Sequence, residues 1–198
     1  MFEESAARWR VLEAAYAVFS ARNFEGAQMP AIAERAGAGM ATVYRHFPSK
    51  IALGNAAYGD ARGDLVARLR RVHARSYPSF AEEFAQVWHC YTAFAAERPA
   101  ALEFISQPSA HFLDGESRAL RDECLAIGED FIHRGQKAGV VRPGDPRTLI
   151  MMAYGAFARW LHHSPPAAPG HPEPAGSDQA RDAVWSLLAP CRAAVPLA

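Results

Sequence analysis

Apolar residues recur at spacings of three and four along almost the whole chain, and no stretch alternates with period two for long enough to predict a strand. The predicted class is all-α, with about nine helices. The first is expected over about Ser5 to Ala21, where Val11, Leu12, Ala15, Val18 and Phe19 form one apolar stripe, and Asn23-Phe24-Glu25-Gly26 ends it. A short second helix begins near Met29-Pro30, because a proline loses nothing in a first turn, where its missing N–H would have no helical partner. Ile32, Ala33 and Ala36 face its core. Gly37-Ala38-Gly39 breaks the chain before a third short helix over about Met40 to His46. Pro48-Ser49 stops that helix and caps a long fourth one, which carries Ile51, Leu53, Leu65, Val66 and Leu69 to about Ala74.

Pro78-Ser79 opens a fifth helix rich in aromatics, ending before Pro99, and a shorter one spans about Ala100 to Ser106. A long helix is expected from about Glu116 to Ala138, closed by Gly139 as a left-handed cap. Asp145-Pro146 starts the next, with Asp as N-cap and Pro at the first helical position, and it runs to about His163. The proline-rich stretch from Ser164 to Asp178 reads as a loop, and a last helix covers about Gln179 to Ala194.

Two short helices behind an amphipathic first helix, separated by a glycine-containing break, outline a helix-turn-helix. On a wheel of about 100° per residue the third helix turns Val43 and Phe47 inward and Ala41 and Arg45 outward, with Thr42, Tyr44 and His46 on the flanks. Hydroxyl, phenol and imidazole groups suit phosphate oxygens, while Arg45 suits the O6 and N7 acceptors of guanine in a major groove. Lys50 is an awkward cation in the first turn of the fourth helix, beside the positive end of its dipole. A phosphate bound there, clamped by Lys50 and the first backbone N–H groups, would account for it.

Charge changes the picture only locally. The chain balances 21 basic against 21 acidic residues, yet from Arg35 to Arg75 eight Lys or Arg face two acids, Asp60 and Asp64. The three cysteines, Cys90, Cys124 and Cys191, are far apart and suit neither a disulfide framework nor a zinc cluster, which points to a reducing cytoplasm. Met1-Phe2-Glu3-Glu4 is no signal-peptide start and no run is long enough to span a bilayer, so no membrane partner is expected. No cofactor or metal is expected either, since His162-His163 project about 100° apart and no metalloprotease, nucleophile-elbow or phosphate-loop motif occurs.

The run from Arg8 to Tyr58 resembles the DNA-binding domain of TetR/AcrR-type regulators, through Val11-Leu12-Glu13-Ala14-Ala15, Phe19, Ile32-Ala33-Glu34-Arg35-Ala36-Gly37, Thr42-Val43-Tyr44-Arg45-His46-Phe47, Lys50 and Leu53. The resemblance implies that Thr42, Tyr44, His46 and Lys50 contact DNA mostly at phosphates, and that Met40, Ala41, Tyr44 and Arg45 lie near base edges. It departs at Met29, where the family usually has a threonine, at Gly39, where it has a serine, and at Asn23, where glycine is common. It also implies two parts: a helix-turn-helix domain over 1–50, linked by the helix 50–74, and a ligand-sensing and dimerisation domain over 51–198.

Within that second part Trp88, His89, Tyr91, Phe94, Phe104, Phe112, Phe131, Met151 and Tyr154 are candidates for an apolar effector pocket with a few polar handles. An uncharged hydrophobic or aromatic effector is expected, because no cationic cluster interrupts the helix 145–163. Ala153, Gly155 and Ala156 beside Phe157, Trp160 and Leu161, with the stripe Val184, Leu187 and Leu188, compose a seam for a homodimer through the last two helices. Paired recognition helices would then enter successive major grooves of palindromic operator DNA, about 34–36 Å apart. Effector binding would tilt the fourth helix and spread them. The functional expectation is a ligand-responsive DNA-binding repressor; the alternatives are a helical small-molecule-binding protein without DNA contact, or an enzyme.

Overall fold

The computed structural model describes residues 2–107, 111–165 and 173–190. Among the described residues the chain forms nine helices and no strand: α1 (Phe2–Gly26), α2 (Met29–Arg35), α3 (Met40–His46), α4 (Lys50–His73), α5 (Phe80–Glu97), α6 (Pro99–Ser106), α7 (Gly115–Lys137), α8 (Pro146–His163) and α9 (Ser177–Leu188). Helix starts follow the expected chemistry. Ser49 Oγ accepts from Ala52 N at 3.0 Å, Ser79 Oγ from Glu82 N at 3.2 Å, and Asp145 Oδ2 from both Thr148 N and Thr148 Oγ1 at 2.8 and 2.7 Å. Gly139 closes α7 with φ 71°. Residues 166–172 of the expected proline-rich loop and Cys191 lie outside the described residues, and the last helix stops at Leu188, short of the expected Ala194, because Ala189 is already extended (φ −64°, ψ 151°) ahead of Pro190.

The contacts divide the chain into two compact units, Met1–Val66 with Glu97–Asp122, and Ala67–Ala96 with Glu123–Ala198. In the first, α1 buries Val11, Leu12, Ala15, Tyr16, Val18 and Phe19 against α2, α3 and α6. Phe24 stacks on Phe112 with ring centroids 3.9 Å apart, Phe19 stacks on Phe104 at 4.9 Å, and α4 approaches so closely that a Cβ on Gly54 would stand 2.6 Å from Phe24. A polar knot ties three helices. Asp60 of α4 accepts from Tyr16 Oη at 2.7 Å and from Arg98 Nη2 at 2.5 Å, while Asp64 lies 3.4 Å from Arg98 Nη1. Burial and Asp60 together push the Tyr16 phenol well above its ordinary value.

The second unit packs Phe84, Trp88, Phe131, Ile132, Val141, Leu149, Ala153, Phe157, Val184 and Leu188 into one core. The start of α9 is tied to α5 through polar groups: Trp88 Nε1 donates to Ser177 Oγ at 2.8 Å, and Thr92 Oγ1 and His89 Nδ1 each lie 3.0 Å from Glu173 Oε1. At the other end of α9, Arg142 N donates to Leu188 O at 2.7 Å.

Candidate nucleic-acid interface

The orientation of α3 is set by two anchors, Val43 and Phe47, which are 0% and 3% exposed in the core shared with α1 and α2. With those fixed, 3.6 residues per turn put Ala41 and Arg45 in solvent and leave Tyr44, a large phenol, 46% exposed. Met40 and Thr42 are half-buried beside them. Gly39 begins α3 in an extended conformation with no side-chain cap, so only its carbonyl holds the first turn, through Thr42 N and Val43 N at 2.9 and 3.1 Å. Gln28 likewise gives α2 no side-chain cap. A short helix whose outer face is hydroxyl, phenol and guanidinium, with a small residue at its centre, can approach a duplex closely.

Two expected phosphate ligands sit differently. His46 is half-buried, and its Nε2 is enclosed without a hydrogen-bond partner, so that nitrogen turns into the protein and not toward a phosphate. Lys50 is not a free cation. Its ammonium has three N–H donors and donates to Phe24 O at 2.9 Å, Glu25 O at 3.1 Å and Ala27 O at 3.2 Å, while lying 4.8 Å from the Phe24 ring centre. The unfavourable position at the start of α4 is offset by the three backbone carbonyls that accept from the ammonium. No anion is needed to explain it.

The effector candidates do not form one group. Phe104 and Phe112 belong to the first unit, where they stack against Phe19 and Phe24. In the second unit Trp88 and Phe131 are core residues, with Trp88 5.0 Å from Phe157 and 5.2 Å from Trp160. Tyr91 and Tyr154 lie half-buried at 5.6 Å from each other, and Phe94 is fully buried with the Arg68 guanidinium 5.3 Å from its ring. His89 and Met151 face solvent, the side chain of His89 and the residue Met151 each 52% exposed. The expected seam also divides: Ala153, Phe157, Val184 and Leu188 fill the unit's own core, whereas Gly155 and Leu187 are exposed, as are Met151 and Met152, which are not part of that seam. What sequence spacing could not supply is the Arg98 knot and a cleft of about 610 Å³ beside it, lined by Trp9, Arg10, Tyr16, Arg35 and Arg98. Among the described residues no three His, Cys, Asp or Glu side chains gather as a metal would require, and no helix is long and apolar enough to cross a membrane.

Comparison with known proteins agrees with this geometry. Residues 11–57 match bacterial regulatory proteins of the tetR family, and residues 64–163 match the tetracyclin repressor-like C-terminal domain. The HTH-type transcriptional repressor KstR of Mycolicibacterium smegmatis is 42% identical over 66 residues, which is 30% of this chain and 32% of KstR. Among solved structures, the ketosteroid transcriptional regulator KstR2 of Mycobacterium tuberculosis superposes with a TM-score of 0.75 at 20% identity, covering 92% of this chain and 94% of that one. AibR, solved with isovaleryl coenzyme A and operator DNA, gives 0.72 at 18% identity, covering 92% and 97%. The C-terminal match alone spans half of the sequence, and together the two matches establish that the chain belongs to the TetR family of bacterial regulatory proteins.

Proposed function

We propose that the protein is a DNA-binding transcriptional repressor that leaves its operator when an uncharged hydrophobic or aromatic molecule binds the second unit. The observation that carries this reading is the build of α3: Val43 and Phe47 fix its inner face, and Tyr44 and Arg45 stand outward as a polar surface with no partner of their own in the core. Two copies of the chain are needed to read a two-fold operator. The exposed apolar residues Met151, Met152 and Leu187, on adjoining helices α8 and α9, support pairing through that face. Helix α4 contributes residues to both compact units, which supports it as the element that carries the effector's signal. Acting on operator DNA places the protein in the cytoplasm.

The test begins with a duplex selected by the protein from a random-sequence pool, followed by fluorescence anisotropy. Tyr44→Ala should weaken binding to the selected and to a random duplex alike, and Arg45→Ala should mainly narrow the gap between them, by about 1–3 kcal/mol of discrimination. A protein that binds no duplex returns the reading to a helical small-molecule binder. Equal losses of specific and non-specific affinity for Arg45→Ala remove that residue as the base reader. For the effector, calorimetric titration should show heat with uncharged aromatic or aliphatic compounds; heat with isovaleryl coenzyme A alone would overturn the uncharged class.

A further inference from the structure

We propose that Arg8 of α1, and not Lys50, supplies the cation that grips a DNA phosphodiester beside the end of α3; this rests on the DNA-binding reading above. The ammonium of Lys50 is spent, since each of its three N–H donors already has a backbone carbonyl, two in the last turn of α1 and one, of Ala27, just beyond it. A phosphate could recruit it only by uncapping α1. Arg8 is arranged in the opposite way. Its guanidinium lies over the ring of Phe47 at 5.1 Å from the centroid, and Phe47 is the residue that directly follows α3, one turn beyond Tyr44.

A guanidinium held against a ring by cation–π attraction spends no N–H donor on a hydrogen-bond acceptor, and its planar fork can still meet two phosphate oxygens at once. Other arginines of the fold have had those donors taken up: Arg62 by the carbonyl of Ile105, Arg98 by Asp60, Arg134 by Glu83. Arg8 is exposed, and among the described residues no carboxylate pairs with it. The ring beneath it also fixes much of the side chain before any ligand arrives, which lowers the entropy lost on contact. Because Phe47 is itself a buried anchor of α3, the cation is held in register with Tyr44 and Arg45. The site takes a phosphodiester group of duplex DNA and reads no sequence.

The experiment is a salt titration of binding to the pool-selected duplex and to a random-sequence duplex, for wild type, Arg8→Ala, Arg8→Lys and, as a control in the last turn of α4, Arg71→Ala. Loss of one phosphate contact should flatten the slope of log K against log[salt] by about 0.9 per bound protomer, on both duplexes, and lower affinity at 0.1 M salt by about eightfold per protomer. Arg8→Lys should keep the wild-type slope, and Arg71→Ala should not move it. Thermal melting separates a structural role: an Arg8→Ala protein that melts early and binds weakly with an unchanged slope overturns the proposal, as does one that melts and binds like wild type. Failure of Arg8→Lys to restore the slope overturns it also. Wild-type protein that binds neither duplex defeats the parent reading and this one together, whereas a wild type that binds with an Arg8-independent slope defeats this one only.

Discussion

Replacing Lys50 by methionine keeps most of the side-chain stem and removes the ammonium, so it isolates what that charge does. Two of the three hydrogen bonds, to Phe24 O and Ala27 O, are part-buried, and the third, to Glu25 O, is exposed. A hydrogen bond to a charged donor contributes about 1.5–3 kcal/mol when buried. Water can reach the abandoned carbonyls here, which reduces each part-buried bond to about 1 kcal/mol and the exposed one to nothing measurable. Leaving the face of Phe24, 4.8 Å away, removes about 0.5 kcal/mol more. The sum is about 2.5 kcal/mol, or a fall in melting temperature of roughly 5–10 °C for a chain of this size. The assay is thermal unfolding followed by circular dichroism, paired with salt-dependent DNA binding well below the transition. The expected outcome is early melting with the wild-type salt slope. A variant that melts within about 1 °C of wild type yet binds DNA with a flatter slope would refute it, and would restore Lys50 as a phosphate ligand.

Three further outcomes follow from local geometry. Gly135→Ala would drive its methyl into Val141 and to 2.8 Å from Phe80 Cζ inside the second unit, so it should cost about 1–3 kcal/mol in urea melts, and an unchanged midpoint would mean that the two side chains can move aside. Glu83 is gripped by Arg134 at 2.7 and 2.9 Å and by His73 at 2.6 Å; burial alone would raise its carboxyl, but hydrogen bonds from Arg134 and His73 more than offset that and hold it below its ordinary 4.5. A depressed folded value means the stabilisation is complete above the unfolded value and lost as pH falls through the folded one, so Glu83→Gln should be less stable than wild type at neutral pH and show a shallower loss below about pH 4.5; parallel acid limbs would exclude the linkage. Asn23→Gly should raise stability by about 1 kcal/mol in the same melts, because Asn23 has φ 58° and ψ 170°, where glycine rests without strain; a lower midpoint would show that the asparagine side chain compensates.

Helix limits were readable wherever they depend on neighbours in sequence. The bounds of α3 follow from Gly39 and Pro48, and its buried pair Val43 and Phe47 from helical period alone. Asn23 was readable in part: a positive φ was foreseeable where glycine is common, but its ψ of 170° lies outside the left-handed helical well that asparagine tolerates. The failures are long-range. The carbonyls that occupy Lys50 lie 23–26 residues away, and those donors cannot be assigned until α1 and α4 are packed. Phe104 and Phe112 looked like pocket aromatics because aromatic content carries no address; the chain returns over 97–122 to complete the core begun by its first 66 residues, and there they meet Phe19 and Phe24.

The same distinction governs the cationic run from Arg35 to Arg75. Counted along the chain it is a basic segment, and a basic segment suggests a surface for phosphates. In the fold Arg62 donates to Ile105 O, Arg68 covers the ring of Phe94, Arg70 pairs with Glu123, and Lys50 caps α1, so half of the eight cations are engaged within the protein. Arg45 remains outward on α3, while the cation placed beside the end of that helix, Arg8, lies outside the run altogether. Where a charge acts therefore depends on which acceptors reach it first. For a polyanion partner, the cations that matter are those whose donors the fold leaves unspent and whose side chains it has already oriented, and a local count of basic residues measures neither.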